Sequence, residues 1–349
     1  MAKKNKKNEA LPDYIEGVRR LKESGPRSLY LLWGVEDYLR EDFLEKLKAQ
    51  CLPEGEDSFS FRRLNGPELD ALTLREAVDA APFLTERSFV ELRDVELNKL
   101  KDADAVQKVL EDIPSYCTVA LVQSAQFEPD GRLKLIKSIR DHAEEVCFTA
   151  QPQQRLVGWI GRRFDAAGKR IDLDTARHLI FVSGDLMSGL IPEIEKVAAY
   201  AKGEKVTVTD IDAVAHHIPE ADVFQMTDFI AQKKAGAAIS VLSELLADKN
   251  NEPIVLLSLL GTQMRRLHAA RLAIDRELGA KYVAETCGIK YDFIINQLLR
   301  SARGYTTAQT CRAVEICAEI DYKMKSSGLD SKELLLEALL RIAAGESHA

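Results

Sequence analysis

Gly34, Leu39, Arg40 and Glu41 stand at the spacing at which a phosphate loop, GxxxxGK[ST], carries its first glycine, second glycine, lysine and hydroxyl. In that loop the backbone N–H groups cradle the phosphates, the lysine neutralises them and the hydroxyl ligates Mg²⁺. Here leucine replaces the second glycine, arginine the lysine and glutamate the hydroxyl. Glu36 and Asp37 add negative charge inside the loop. A helix N-terminus favours anions, but these carboxylates would occupy or repel the anion site themselves. The motif is specific only when complete, so this stretch reads as a strand, a glycine turn and a helix that hold no nucleotide.

The second requirement of a nucleotide hydrolase is an acid after an apolar strand, to hold Mg²⁺ and orient water. Thr118-Val119-Ala120-Leu121-Val122 runs into Gln123-Ser124 and supplies none. Phe89-Val90-Glu91-Leu92-Arg93-Asp94 does supply Asp94, but Glu91 interrupts the apolar run and Arg93 precedes the acid. Two separate parts of the phosphate machinery are therefore absent or compromised. No catalytic residue and no cofactor is expected.

Metal chemistry fares no better. The six cysteines show no CxxC spacing, which fits reduced, buried thiols in a cytosolic protein. Adjacent His216 and His217 would point about 100° apart on a helix and cannot easily share an ion. No metal site is expected. Ala81-Pro82-Phe83-Leu84 offers a different chemistry: two large apolar side chains after a proline, followed by Thr85-Glu86-Arg87. Either they tuck into the core, or they form a small plug for a partner's pocket.

The elements that must position these residues follow from periodicity. Helical spacing of Leu11, Tyr14, Ile15, Val18 and Leu21 predicts a first helix to Ser24, ended by Gly25-Pro26. Five apolar runs, Leu29–Trp33, Phe59–Leu64, Phe89–Leu92, Val119–Val122 and Val146–Phe148, then alternate with helical segments. Tyr38, Leu39, Phe43, Leu44 and Leu47 form one stripe, and Leu69, Leu72, Leu74 and Val78 another. The alternation predicts a mostly parallel sheet with helices on both faces. From Gln151 to Ile218 the pattern is helical: a helix around Trp159–Phe164, another over Leu173–Phe181 starting at Asp174 or Thr175, and a third through Ile191–Ala201. Thr209 with Asp212 suggests a capping box for a fourth. From Pro219 the chain reads as helix to its end, with a long helix opened by Pro253 and others over Tyr291–Arg300, Ala308–Met324 and Glu333–Ala343. Arg265, Arg266, Arg271, Arg300 and Arg303 mark either solvated faces or an assembly interface.

Composition bounds the rest. A chain of 349 residues, 46% hydrophobic and 30% charged, holds about two or three domains. A net charge of −7 does not suggest nucleic-acid binding through the whole surface, though a local basic patch stays open. No run approaches the ~18 apolar residues of a membrane span. The first ten residues carry four lysines without an apolar segment, so they form a solvated tail and not a secretory signal.

Taken together, the chain resembles the delta subunit of the bacterial DNA polymerase III clamp loader over nearly its whole length after the lysine tail. The likeness rests on Leu29-Tyr30-Leu31-Leu32-Trp33-Gly34-Val35-Glu36-Asp37-Tyr38-Leu39, Ala81-Pro82-Phe83-Leu84-Thr85-Glu86-Arg87, Glu193-Ile194-Glu195-Lys196, Asp222-Val223-Phe224, Gln263-Met264-Arg265-Arg266 and Asp321-Tyr322-Lys323-Met324-Lys325, in that order. It implies an α/β plus all-α chain: a tail and first helix over 1–25, an AAA+-like domain with a RecA-type parallel sheet and degenerate P-loop over 26–150, a helical lid over 151–218 and a helical collar over 219–349. It implies a cytoplasmic subunit of the replicative polymerase assembly that binds the ring-shaped sliding clamp (the beta subunit), favours its opened ring so that the loader can place it on primed DNA, and does not hydrolyse ATP itself. The other loader subunits, gamma/tau and delta prime, would join through the collar, with primed DNA inside the assembly. Phe83 and Leu84 fall where the family contacts the clamp, and Ala81 stands where some members carry a larger apolar residue. The alternatives are an active AAA+ ATPase with a non-standard loop, which predicts sensitivity to Arg40, and a helical adaptor, which predicts buried Phe83 and Leu84.

Overall fold

The computed structural model describes residues 11–52, 59–66, 69–83, 85–289 and 292–346. The lysine tail and Leu84 lie outside them. The chain divides into two compact units, residues 1–158 with 185–192, and residues 159–184 with 193–349.

The first unit alternates helix and strand: α1 (Tyr14–Ser24), β1 (Leu29–Trp33), α2 (Asp37–Cys51), β2 (Phe61–Asn65), α3 (Ala71–Asp79), β3 (Ser88–Arg93), α4 (Ala103–Glu111), β4 (Cys117–Val122), α5 (Lys134–His142) and β5 (Glu144–Cys147). All five strands run parallel in the order β2-β3-β4-β1-β5. This is the expected fold class. Leu29 pairs with Val119 and Leu32 with Val122, while Trp33 pairs with Cys147. Because side chains alternate along a strand, Leu29 and Leu31 enter one core with Leu74, Val78, Val106, Leu110 and Ile136 of α3, α4 and α5. On the other side Phe43 of α2 packs on Tyr30 and Phe148 with ring centroids 6.1 and 5.8 Å apart. Gly17 lets α1 approach the same place, since a Cβ there would lie 3.2 Å from Phe43 and Val146.

Several expected boundaries shift. The first helix begins at Tyr14, capped by Asp13, and Leu11 and Ile15 are exposed. Strand β2 begins at Phe61 and not at Phe59, whose ring stands in solvent. Leu72 is exposed, so α3 packs through Leu74, Ala77 and Val78 instead.

The remaining helices are α6 (Gln153–Ala166), α7 (Leu173–Ser183), α8 (Met187–Tyr200), α9 (Val208–Val214), α10 (Pro219–Ala231), α11 (Ala235–Ala247), α12 (Pro253–Asp275), α13 (Gly279–Cys287), α14 (Asp292–Ala302), α15 (Thr307–Ser326) and α16 (Ser331–Ala343). Two helix starts differ from expectation. Asp172, and not Asp174 or Thr175, caps α7 by accepting the Thr175 N–H. The capping box of α9 is Thr207 with Asp210, two residues before Thr209 and Asp212. Helix α13 was not marked by any periodicity read above. In the second unit α12 is central: Leu256, Leu257, Leu260, Met264, Leu267 and Ala270 share one core with Ile316 and Ile320 of α15 and Leu335 and Leu339 of α16. No helix among the described residues is long and apolar enough to cross a membrane.

Candidate functional site

The turn after β1 is shaped by backbone contact before any ligand is considered. Gly34 has φ +124°, and a Cβ there would lie 2.4 Å from the Phe148 carbonyl oxygen. The Glu36 N–H donates to that same carbonyl at 3.0 Å. A loop amide that a phosphate would need is thus already engaged within the fold. Leu39 is buried in the core. Arg40 turns back on the loop, donating to the Gly34 carbonyl at 2.8 Å and to Asp37 Oδ1 at 2.5 Å. Glu41 accepts two hydrogen bonds from Arg93, at 2.9 and 2.6 Å. All four positions of the degenerate motif therefore serve the fold.

Glu36 is wholly buried, and both carboxylate oxygens lie 3.2 Å from the Met187 N–H at the first residue of α8. A helix N-terminus attracts negative charge, and here the chain's own carboxylate meets it. Burial pushes the Glu36 carboxyl up to about 6, the Met187 N–H opposes that rise, and Asp37 and Asp185 add to it. The Glu36 carboxylate thus leaves the α2 N-terminus, where it makes no capping bond, and serves that of α8.

The acid expected beyond β3 is not poised for metal. Asp94 is exposed and sits at φ +56°. Glu91 is fully buried and sits in a cage of cations: Lys48 at 2.9 Å, Arg63 at 3.0 Å, and Arg93. Burial pushes its carboxyl up, but hydrogen bonds from Lys48, Arg93 and Arg63 outweigh that and lower it. Arg93 bridges Glu91 to Glu41, so the two suspicious residues of β3 form a structural ion cluster with the loop. Gln123 is buried, and its N–H continues the sheet ladder to Leu32 at 2.9 Å. His217 pairs with Asp222 at 3.0 Å, while His216 donates its backbone N–H to Glu193. No cluster of three or more metal-ligating side chains occurs among the described residues.

The segment ahead of β3 behaves differently. Phe83 is 58% exposed, and Ala81 is exposed beside it. The core placement of Phe83 is therefore excluded. Its backbone is nevertheless fixed: Ser60 Oγ accepts the Phe83 N–H at 2.9 Å and donates to the Phe83 carbonyl at 3.2 Å. Phe59, 84% exposed, meets Phe83 edge to face with ring centroids 5.9 Å apart. Phe59 and Ser60 were missed in the sequence, where they read as the start of a strand. Both precede β2, and no sequence signal ties them to Phe83 more than twenty residues away.

Residues 30–149 match the family model described as DNA polymerase III, delta subunit, and residues 220–342 match that of the DNA polymerase III delta subunit, C-terminal domain. The DNA polymerase III subunit delta of Bacillus subtilis (strain 168) is 23% identical over 333 residues, covering 92% of this chain and 94% of that protein. The probable DNA polymerase III subunit delta of Aquifex aeolicus (strain VF5) is 22% identical over 276 residues, covering 76% and 77%. Among solved structures, the Bacillus subtilis DNA clamp loader delta protein is similar with a TM-score of 0.48 at 21% identity, over 95% of this chain and 99% of that one.

Proposed function

The chain belongs to the DNA polymerase III delta-subunit family, and from that membership we propose that it is the clamp-loader subunit that grips the sliding clamp and favours its opened ring during DNA replication, without hydrolysing ATP itself. The observation that carries this reading is Phe83, a large apolar side chain held in solvent by a buried hydroxyl. Phe83 is not a lone exposed hydrophobe but stands against exposed Phe59, and burying it in a partner's pocket would recover the free energy its exposure forfeits. With Leu84, burial of two such groups amounts to roughly 3–6 kcal/mol before the costs of association. A subunit that binds the opened ring better than the closed one shifts that equilibrium by its differential affinity, with no chemistry of its own.

The filled loop supports the second half of the proposal. Arg40, the cation at the lysine position, is held by Gly34 and Asp37, and Glu41, at the hydroxyl position, is held by Arg93. ATP binding by neighbouring gamma/tau subunits would then supply the drive. In this scheme residues 26–150 carry the plug, 151–218 form the lid, and 219–349 form the collar that joins gamma/tau and delta prime around primed DNA. The free cysteines support a reducing, cytoplasmic setting.

Surface plasmon resonance against the cognate clamp, without nucleotide, tests the proposal. The wild-type chain is expected to bind, and a folded Phe83→Ala, Leu84→Ala double variant to lose at least tenfold in affinity. Absence of wild-type binding would overturn it, and equal binding by both proteins would move the contact away from the plug.

A further inference from the structure

We infer that Phe59 is a second aromatic contact for the same clamp pocket and that Ser60 is the positioning residue that sets Phe83 before the partner arrives; both parts rest on the reading of Phe83 as the clamp plug. The two rings touch edge to face, 5.9 Å between centroids with planes at 88°, although the residues lie in separate segments. Phe59 stands at the head of β2, the outermost strand on its side of the sheet. Any pocket that closes around Phe83 must therefore cover Phe59 or push it aside. Phe59 is more exposed than Phe83, at 84% against 58%, so it adds little to the fold of the free chain. Two exposed aromatic rings in contact are a surface feature that solvent disfavours and a partner's apolar pocket rewards.

Beneath them lies a hydrogen-bonded polar layer of buried Ser60 and half-buried Thr85. Ser60 is only 3% exposed, and its hydroxyl holds both backbone polar groups of Phe83. The Thr85 hydroxyl lies 2.7 Å from Ser60 Oγ and 2.8 Å from the Arg87 carbonyl oxygen, which ties the far side of the plug to the entrance of β3. A loop fixed in this way loses little conformational freedom on binding, and that saving goes directly into affinity.

Single variants Phe59→Ala, Ser60→Ala and Phe83→Ala, and the double variants of each of the first two with Phe83→Ala, would be compared for clamp binding by surface plasmon resonance. Thermal melting is expected to leave the Tm of Phe59→Ala unchanged, because that ring is in water. Phe59→Ala should weaken clamp binding about tenfold, and by clearly less once Phe83 is alanine. Ser60→Ala should weaken binding about fivefold, should have almost no effect in the Phe83→Ala background, and should speed hydrogen exchange at the Phe83 amide. A merely structural role for Ser60 would weaken binding equally in both backgrounds. If the wild type binds and Phe83→Ala binds tenfold worse, but Phe59→Ala and Ser60→Ala each stay within twofold, the inference fails while the clamp reading stands. If the wild type does not bind the clamp at all, the clamp reading fails and takes this inference with it.

Discussion

Glu91 is a carboxylate whose charge is set by its neighbours, because no solvent reaches it. Lys48, Arg63 and Arg93 surround it, and the Lys48 side chain is itself almost wholly buried. Removing Glu91 would leave the buried Lys48 ammonium with only the exposed Glu45 carboxylate beside it, and breaking a buried pair in this way costs far more than the pair contributes to stability. Glu91→Ala is therefore expected to lower the unfolding free energy by about 3–5 kcal/mol, measured by urea denaturation. Glu36 titrates in the opposite sense. Its folded value of about 6 lies above the ordinary 4.5, so the folded chain keeps a proton that the unfolded chain has lost. Stability then falls as pH rises from 4.5 to 6, and the penalty is complete above that. Glu36→Gln keeps an oxygen for the Met187 N–H and removes the titration. The stability of the variant relative to wild type should rise by at most about 2 kcal/mol between pH 4.5 and 7, read from urea midpoints at each pH. A flat difference across that range would show that Glu36 is not ionised against burial.

At the scale of elements, the strands were legible because a sheet covered on both faces needs unbroken apolar runs, and Leu29–Trp33 and Val119–Val122 are such runs. Ends were harder. Thr207-x-x-Asp210 and Thr209-x-x-Asp212 are the same local signal, and Thr207, extended two residues after the bridge between Arg170 and Lys205, is the one that caps the helix. Leu72 has helical spacing with Leu69, but packing chose a neighbouring stripe. The exposed segment around Phe83 was legible only in part: Phe83 stood out as a large apolar residue after Pro82, whereas Phe59 and Ser60 reach it across a gap of more than twenty residues that no periodicity encodes. The β1–α2 turn was legible as a turn but not in its contacts, since a lone glycine between an apolar strand and a helix marks a backbone that other residues rarely adopt, while nothing local pairs Glu36 with Met187. Gly34→Ala meets both an unfavourable φ and the Phe148 carbonyl at 2.4 Å. It should destabilise the first unit by roughly 2–3 kcal/mol in urea unfolding. A loss under 1 kcal/mol would mean that the turn relaxes freely and that the glycine is not required.

For the whole molecule, the filled loop makes a thermodynamic statement that needs no knowledge of mechanism. A ligand that binds the folded chain alone raises its stability by RT ln(1 + [L]/Kd), about 4 kcal/mol at a thousandfold excess over Kd. An active ATPase with micromolar affinity would therefore show a clear rise in Tm at millimolar Mg²⁺·ATP. In this chain Arg40, the residue in the lysine position, is held by Gly34 and Asp37. Glu36 already satisfies the Met187 N–H as a built-in anion. For Arg40 to meet a phosphate it would have to leave Gly34 and Asp37, and the phosphate would bring negative charge near the buried Glu36 carboxyl, both of which oppose binding. The Tm is accordingly expected to stay within 1 °C with and without Mg²⁺·ATP in a thermal melt, for the wild type and for Arg40→Ala compared with its own nucleotide-free control. A nucleotide-dependent rise in the wild type that disappears in Arg40→Ala would show that Arg40 leaves the loop to meet phosphate, and would restore the reading of the chain as an ATPase with a non-standard site.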